Sequence, residues 1–232
     1  MSILTFQIDP QYDADMVFTM LNQNSAHDAA FRAKDMKLAG NLIDRIQSVS
    51  DYGEVKVVIM QTVADRHAEV KAQLENAVIT YQASWDKIDG AFFARLVELF
   101  PFPCPHPQYI CVVSAFHFGI SNWGGYTVAR IYNLDPDEQR RITAHEIIIS
   151  YFFSYIFASY PKFNDKHRIW EAAEIIAFAL TGLDPVLTKF WPWDTSGAYT
   201  DHNYPEIALK QDQLVSVYIK EGLDKFINIA CS

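Results

Sequence analysis

Cysteine is scarce in this sequence. Cys104, Cys111 and Cys231 are odd in number, and none of them belongs to a C-x-x-C pair. This pattern excludes a disulfide framework and is typical of reduced thiols in a cytoplasmic protein. The N-terminus has no basic segment followed by a long apolar one, so we expect no signal peptide.

Positive charge is also in short supply. The chain has 19 Lys and Arg against 28 Asp and Glu, a formal net charge of −9, and no block of basic residues. Nucleic-acid binding is therefore not expected, and acidity of this size mostly indicates solubility. What the chain has instead is apolar: 50% of its 232 residues are hydrophobic and 14% are aromatic, which excludes general disorder and allows a substantial core.

Residues 1–100 are predicted to form a mostly helical layer. Apolar residues recur at helical spacing in four segments, namely 13–21, 26–49, 66–84 and 85–99. The β-branched stretch 54–62 fits either a short strand or the front of a helix. We interpret this region as support for residues 101–232, and we expect the two regions to form one compact unit.

The next part of the chain is predicted to be extended. Alternating prolines over 101–107 indicate a linker, and segments 109–118 and 126–133 have the composition of strands. With the glycine-rich stretch 119–125 between them, they predict an antiparallel hairpin. The Gly124–Gly125 edge of this hairpin could let a peptide or protein segment lie alongside.

Three helices are predicted after the hairpin. The first begins near Asp135 and runs to about Ser159, the second runs from Asn164–Asp165 to about Thr181, and the last covers Glu206–Ile229. The run 142–160 is nearly long enough to span a membrane, but the ionisable pair within it favours a buried helix of a soluble protein. The predicted class is α+β, mainly α.

Two of these apolar helices carry ionisable pairs. His145 and Glu146 lie near the front of the first, and Glu171 and Glu174 lie three residues apart on the second, where they share a face. Neighbouring carboxylates repel each other and need a cation, a proton or a facing base. Either they belong to a site, or they form a partly exposed face with Lys166 or Arg168 nearby as counter-charges.

The order of a glycine-rich hairpin, a helix with H-E and a helix with glutamates resembles the gluzincin (thermolysin-like) zinc metallopeptidase core, over roughly residues 109–182. The resemblance implies that His145 is a zinc ligand, Glu146 the general base and Glu171 the third ligand. Position 149 departs from the pattern, because Ile149 stands where the second histidine ligand is expected.

Substitute residues for this ligand are conceivable. Glu174 or His202 could approach the metal, and His167 could do so although it is predicted to point elsewhere. In the aromatic loop 184–205, Tyr199 and His202 stand where the resemblance implies a group that stabilises the transition state. Tyr204 is equally eligible for this role.

Two hypotheses about function follow. In the first, the chain is a pseudopeptidase: it keeps the cleft, lacks the zinc and binds or regulates, and His145 and Glu146 are satisfied by hydrogen bonds in the core. In the second, it is a metal-dependent hydrolase with an altered ligand set, in which Glu146 is the general base. Ile149 favours the first hypothesis, because isoleucine cannot bind a metal.

Overall fold

The structure is a computed structural model that describes residues 3–22, 52–117, 119–193 and 204–232. The helix predicted over residues 26–49 lies outside the described residues. Within them the chain forms eight α-helices and four short strands, which confirms the α+β, mainly helical class.

The elements are numbered in chain order. They are β1 (Leu4–Gln7), α1 (Pro10–Asn22), α2 (Tyr52–Glu69), α3 (Lys71–Trp85), α4 (Asp89–Leu99), β2 (Tyr109–Ser114), β3 (Gly119–Ile120), β4 (Thr127–Ile131), α5 (Glu138–Ser159), α6 (Lys166–Leu183), α7 (Pro205–Glu221) and α8 (Leu223–Ala230). A 3-10 turn at Leu187–Phe190 follows α6. The ambiguous stretch 54–62 is helical and lies within α2.

The four strands form one mixed sheet in the order β1-β2-β4-β3. Both β1 and β4 run parallel to β2, whereas β3 is antiparallel to β4. The predicted antiparallel hairpin between 109–118 and 126–133 is therefore wrong. The stretch predicted as one turn contains the edge strand β3 on the far side of β4, and the chain turns back only at Asn122–Gly125.

β1 is a strand that the sequence did not predict, because four residues are too few to show a clear alternation. The Asp89 carboxylate accepts hydrogen bonds from the N–H groups of Ile3 at 2.8 Å and Leu4 at 3.0 Å. The Gln82 amide accepts from the Phe6 N–H at 2.9 Å and donates to the Leu4 carbonyl at 3.1 Å. These side chains satisfy the outward backbone groups of β1, so this edge of the sheet is closed to a further strand.

α5 is the central helix of the fold, and it packs against α6, β4 and α3. Its aromatic side chains meet those of the preceding region: the rings of Tyr151 and Phe152 lie 5.4 Å and 6.2 Å from that of Phe100. By length and composition α5 could cross a membrane, but 67% of the apolar window is buried inside the protein. The core helix of a soluble protein passes the same test.

The final helix is interrupted. The sequence predicted one helix over Glu206–Ile229, but α7 ends at Glu221 and α8 begins at Leu223. Gly222 lies between them with a φ of 85°, a conformation that glycine adopts without the steric cost of a Cβ atom. The break lets α8 fold back, so that Phe226 meets Phe152 of α5 at 6.4 Å.

Asp89→Ala should lower the free energy of unfolding by about 2–4 kcal/mol, because it removes the acceptor of three N–H groups. Besides the N–H groups of Ile3 and Leu4, the indole N–H of Trp85 donates to Asp89 at 2.7 Å. Urea denaturation would measure the change. Asp65→Ala is the control, since Asp65 is exposed and bonded to Gln61, and we expect it to cost less than about 0.5 kcal/mol. Equal losses in both variants would contradict the role of Asp89.

Candidate functional site

His145 lies near the start of α5 and faces α6. Its Nε2 atom is 3.0 Å from Oε2 of Glu174, and 10% and 11% of the two side chains are exposed. The imidazole also meets the ring of Phe178 edge-on, at 4.6 Å between centroids. Each polar group therefore satisfies the other across the interface of the two helices, as buried polar groups require.

Glu146, the next residue, is close to the sheet. Its Oε1 atom lies 3.7 Å from Nη2 of Arg130, a fully buried side chain on β4. Burial raises the pKa of the Glu146 carboxyl and Glu174 adds to this, while His145, Arg130 and a hydrogen bond with Ser121 act in the opposite direction. Burial also lowers the pKa of the Arg130 guanidinium. For both groups, the cost of leaving water outweighs an attraction across a rather long contact.

The edge strand β3 packs directly on this charged pair. A Cβ atom at Gly119 would lie 2.7 Å from Nη1 of Arg130 and 2.8 Å from Oε1 of Glu146. Non-bonded atoms do not approach so closely. Glycine is therefore the residue that lets β3 reach its place beside β4 while the Arg130–Glu146 pair stays in contact.

Glu171, which the resemblance identifies as the third ligand, reaches a different partner. Nζ of Lys210 on α7 donates to both of its carboxylate oxygens, at 2.9 Å and 2.8 Å. His167 lies on the same helix with its Nε2 atom 3.9 Å from the carboxylate. Glu171 and Glu174 are only three residues apart, yet it is Glu174 that contacts His145.

Ile149 is fully buried in the hydrophobic core, four residues after His145. Among the described residues, no group of three or more His, Cys, Asp or Glu side chains is placed to hold a metal ion. The pair of His145 and Glu174 offers two ligand atoms, whereas catalytic zinc normally takes three protein ligands and a water. Tyr199 and His202 lie outside the described residues, so their roles stay predictions.

The Gly124–Gly125 turn, where the sequence predicted a peptide, is engaged by side chains. The Gly124 carbonyl accepts hydrogen bonds from Nε2 of His106 at 3.0 Å and from the Ser154 hydroxyl at 3.3 Å. The Gly125 carbonyl accepts one from the Ser150 hydroxyl on α5. Both carbonyl groups are thus committed within the protein.

Three residues of this region were missed by the reasoning from sequence. Arg130 left a signal, because it is the only charged residue of the strand-like segment 126–133. Gly119 had been assigned to a turn. Lys210 gave no signal, since it lies on an amphipathic helix far along the chain and reaches Glu171 only through the packing of α7 on α6.

The site therefore consists of three pairs of complementary groups, and Ile149 is buried in the core four residues after the histidine of one pair. His145 pairs with Glu174, and the other two carboxylates each meet a basic side chain. No family model matches the chain, and no curated protein and no solved structure is significantly similar to it. The pairs and Ile149 are the observations from which a function can be inferred.

Gly119→Ala should destabilise the protein by roughly 1–3 kcal/mol, because the added methyl group would collide with Arg130 and Glu146. Gly90→Ala is the matched control. Gly90 lies in α4 with nothing within 4 Å of the added Cβ, so alanine there should stabilise by about 0.5–1 kcal/mol. Thermal and urea unfolding of both variants would measure the difference. Tolerance of alanine at position 119 would contradict the close contact.

Glu146→Gln should change how stability depends on pH. Because burial raises the pKa of Glu146, the folded protein binds more protons than the unfolded chain between the ordinary value of about 4.3 and the folded value. This carboxyl therefore costs stability as the pH rises through that window, and glutamine does not titrate. The free energy of unfolding of the variant, relative to wild type, should rise with pH and then level off.

Urea denaturation between about pH 2.5 and pH 8 would measure this slope, and Asp137→Asn is the control with the opposite sign at the acidic end of the range. A hydrogen bond from Ser84, opposed by desolvation and aided by Arg140 and Lys87, lowers the pKa of Asp137. The stabilisation that Asp137 contributes is fully present above its unfolded-state pKa and is lost as the pH falls through its lower folded-state pKa. If the difference in the free energy of unfolding between Glu146→Gln and wild type does not vary with pH, the raised pKa of Glu146 is contradicted.

Proposed function

We propose that the chain is a metallopeptidase-like protein with an incomplete zinc site, which binds or regulates rather than hydrolyses. The observation that carries this proposal is the fully buried Ile149 at the position of the missing histidine ligand. Isoleucine offers no atom to a metal, and the two residues that contact each other beside it supply only two ligands. A water-activating zinc centre needs a third.

His145 and Glu174 contact each other directly at hydrogen-bond distance, which is closer than two ligands of one tetrahedral zinc ion lie. Zinc lies about 2.0–2.2 Å from histidine nitrogen and carboxylate oxygen atoms, which puts two such atoms roughly 3.3 Å apart. The observed separation between Nε2 and Oε2 is 3.0 Å. This contact supports a non-catalytic protein, because the two groups satisfy each other without a metal, and it makes Glu174 rather than Glu171 the carboxylate that His145 meets.

The competing hypothesis is an active hydrolase with an altered ligand set, in which Glu146 is the general base. A raised pKa suits a general base. However, only 12% of the Glu146 side chain is exposed, and its carboxylate lies beside Arg130. Since the described residues also offer no third ligand near His145, we favour binding over hydrolysis.

We infer that the partner is an extended peptide or protein segment that adds to the β3 edge of the sheet. The opposite edge, at β1, is covered by the side chains of Gln82 and Asp89. In the turn that follows β3, the carbonyl groups of Gly124 and Gly125 are hydrogen-bonded within the protein. Strand addition at a sheet edge uses backbone hydrogen bonds and tolerates varied sequences, which suits a binding protein without catalysis.

Ile149→His tests the proposal, because it places an imidazole four residues after His145 on the same face of α5. We expect wild-type protein purified without chelator to contain no stoichiometric zinc, and the variant to bind about one zinc ion per chain. Elemental analysis and titration calorimetry would measure both.

Two further substitutions serve as controls in the Ile149→His background. Glu174→Gln should abolish zinc binding, whereas Glu171→Gln should leave it intact because Glu171 is engaged by Lys210. Stoichiometric zinc in the wild-type protein that disappears in His145→Ala would overturn the proposal and favour the hydrolase.

A further inference from the structure

A buried carboxylate outside the candidate site holds the loop that leads from β2 to β3. Asp13 on α1 is fully buried. Its Oδ2 atom lies 2.8 Å from Nε2 of His67 on α2 and accepts a hydrogen bond from the N–H of Ala115 at 3.0 Å. One oxygen atom thus joins two helices of the supporting layer to the end of β2.

The same loop is fixed at two further points. The Ser114 hydroxyl accepts hydrogen bonds from the N–H groups of Phe116 at 3.0 Å and His117 at 2.8 Å. The ring of His117, almost fully buried, places Nε2 3.5 Å from the backbone carbonyl oxygen of Asp13. Asp13 therefore contacts the loop through its side chain and its backbone.

The position of this loop matters because β3 is only two residues long and pairs Gly119 with Arg130. A slip of one residue would place Ile120, instead of Gly119, opposite Arg130. A Cβ atom there would lie within 2.8 Å of the side-chain ends of Arg130 and Glu146, so a side chain would displace the charged pair. Two residues make too few ladder contacts to fix their own register, so it depends on the Asn122–Gly125 turn after them and on the loop before them.

We propose that Asp13 is a positioning residue for the β3 edge. By holding Ala115 and His117, it sets the register that seats Gly119 on the Arg130–Glu146 pair. This deepens the proposed function, on which it rests, since the positioned edge is the one proposed to bind a peptide. The supporting helices α1 and α2 thereby determine the geometry of the binding edge.

Hydrogen exchange of the free protein tests the proposal without any peptide, so its outcome is independent of whether the peptide proposal holds. Asp13→Leu keeps the branched shape of the side chain, although leucine is larger, and removes the acceptor. We expect exchange of the amides of residues 115–117 and of β3 to become faster on the order of ten- to a hundred-fold, with smaller changes elsewhere. His67→Leu should give the same pattern more weakly, and it serves as the second variant if Asp13→Leu does not fold.

Two controls separate positioning from general destabilisation. Asp13→Asn keeps an acceptor oxygen for both partners, so it should retain protection of the loop to within about threefold. Arg95→Met breaks a partly buried ion pair with Asp184, which has an Nη2–Oδ2 distance of 2.7 Å, and should destabilise the protein without selective exchange at residues 115–121. Uniform acceleration over all elements in Asp13→Leu, or unchanged protection of the loop, would overturn the proposal.

Discussion

The pairing of charge inside an apolar core is the constraint on which this structure depends. A buried ionised group without a partner costs several kcal/mol, so the ionisable residues of the central helices must each meet a complementary group. His145 meets Glu174 across α5 and α6, and Glu146 meets Arg130 across α5 and β4. A third pair joins α6 to α7. Each pair links two elements, so the pairs also constrain how those elements pack.

The two edges of the sheet are treated differently. At β1, Gln82 and Asp89 take the place of a neighbouring strand and satisfy its outward backbone groups. At the other edge, β3 is short, begins with a glycine and rests on a charged pair. A strand that short depends on its surroundings for its register, and the buried Asp13 connects those surroundings to the helical layer. This asymmetry is the basis of our proposal that a partner strand adds at β3.

The sequence identified the residues of the candidate site better than their partners. His145, Glu146, Glu174 and Ile149 were singled out because polar residues in apolar helices, and a hydrocarbon at a ligand position, are visible in one dimension. The sequence could not predict that His145 contacts Glu174 and not Glu171, because two residues three apart lie on the same face of a helix. The prediction of an antiparallel hairpin was wrong because the composition of two strands does not show whether they pair in parallel or antiparallel.

Although it missed the break at Gly222, the sequence by itself determined the helical class and the start of α6, where the Asp165 carboxylate caps the N–H groups of the first turn. These features depend on residues within about one helical turn of each other, and short-range periodicity and capping record them. Only the tertiary structure decided that Lys210 engages Glu171, that Arg130 engages Glu146 and that β2 and β4 run parallel. Such contacts join residues far apart in the chain, and packing of the whole core selects them.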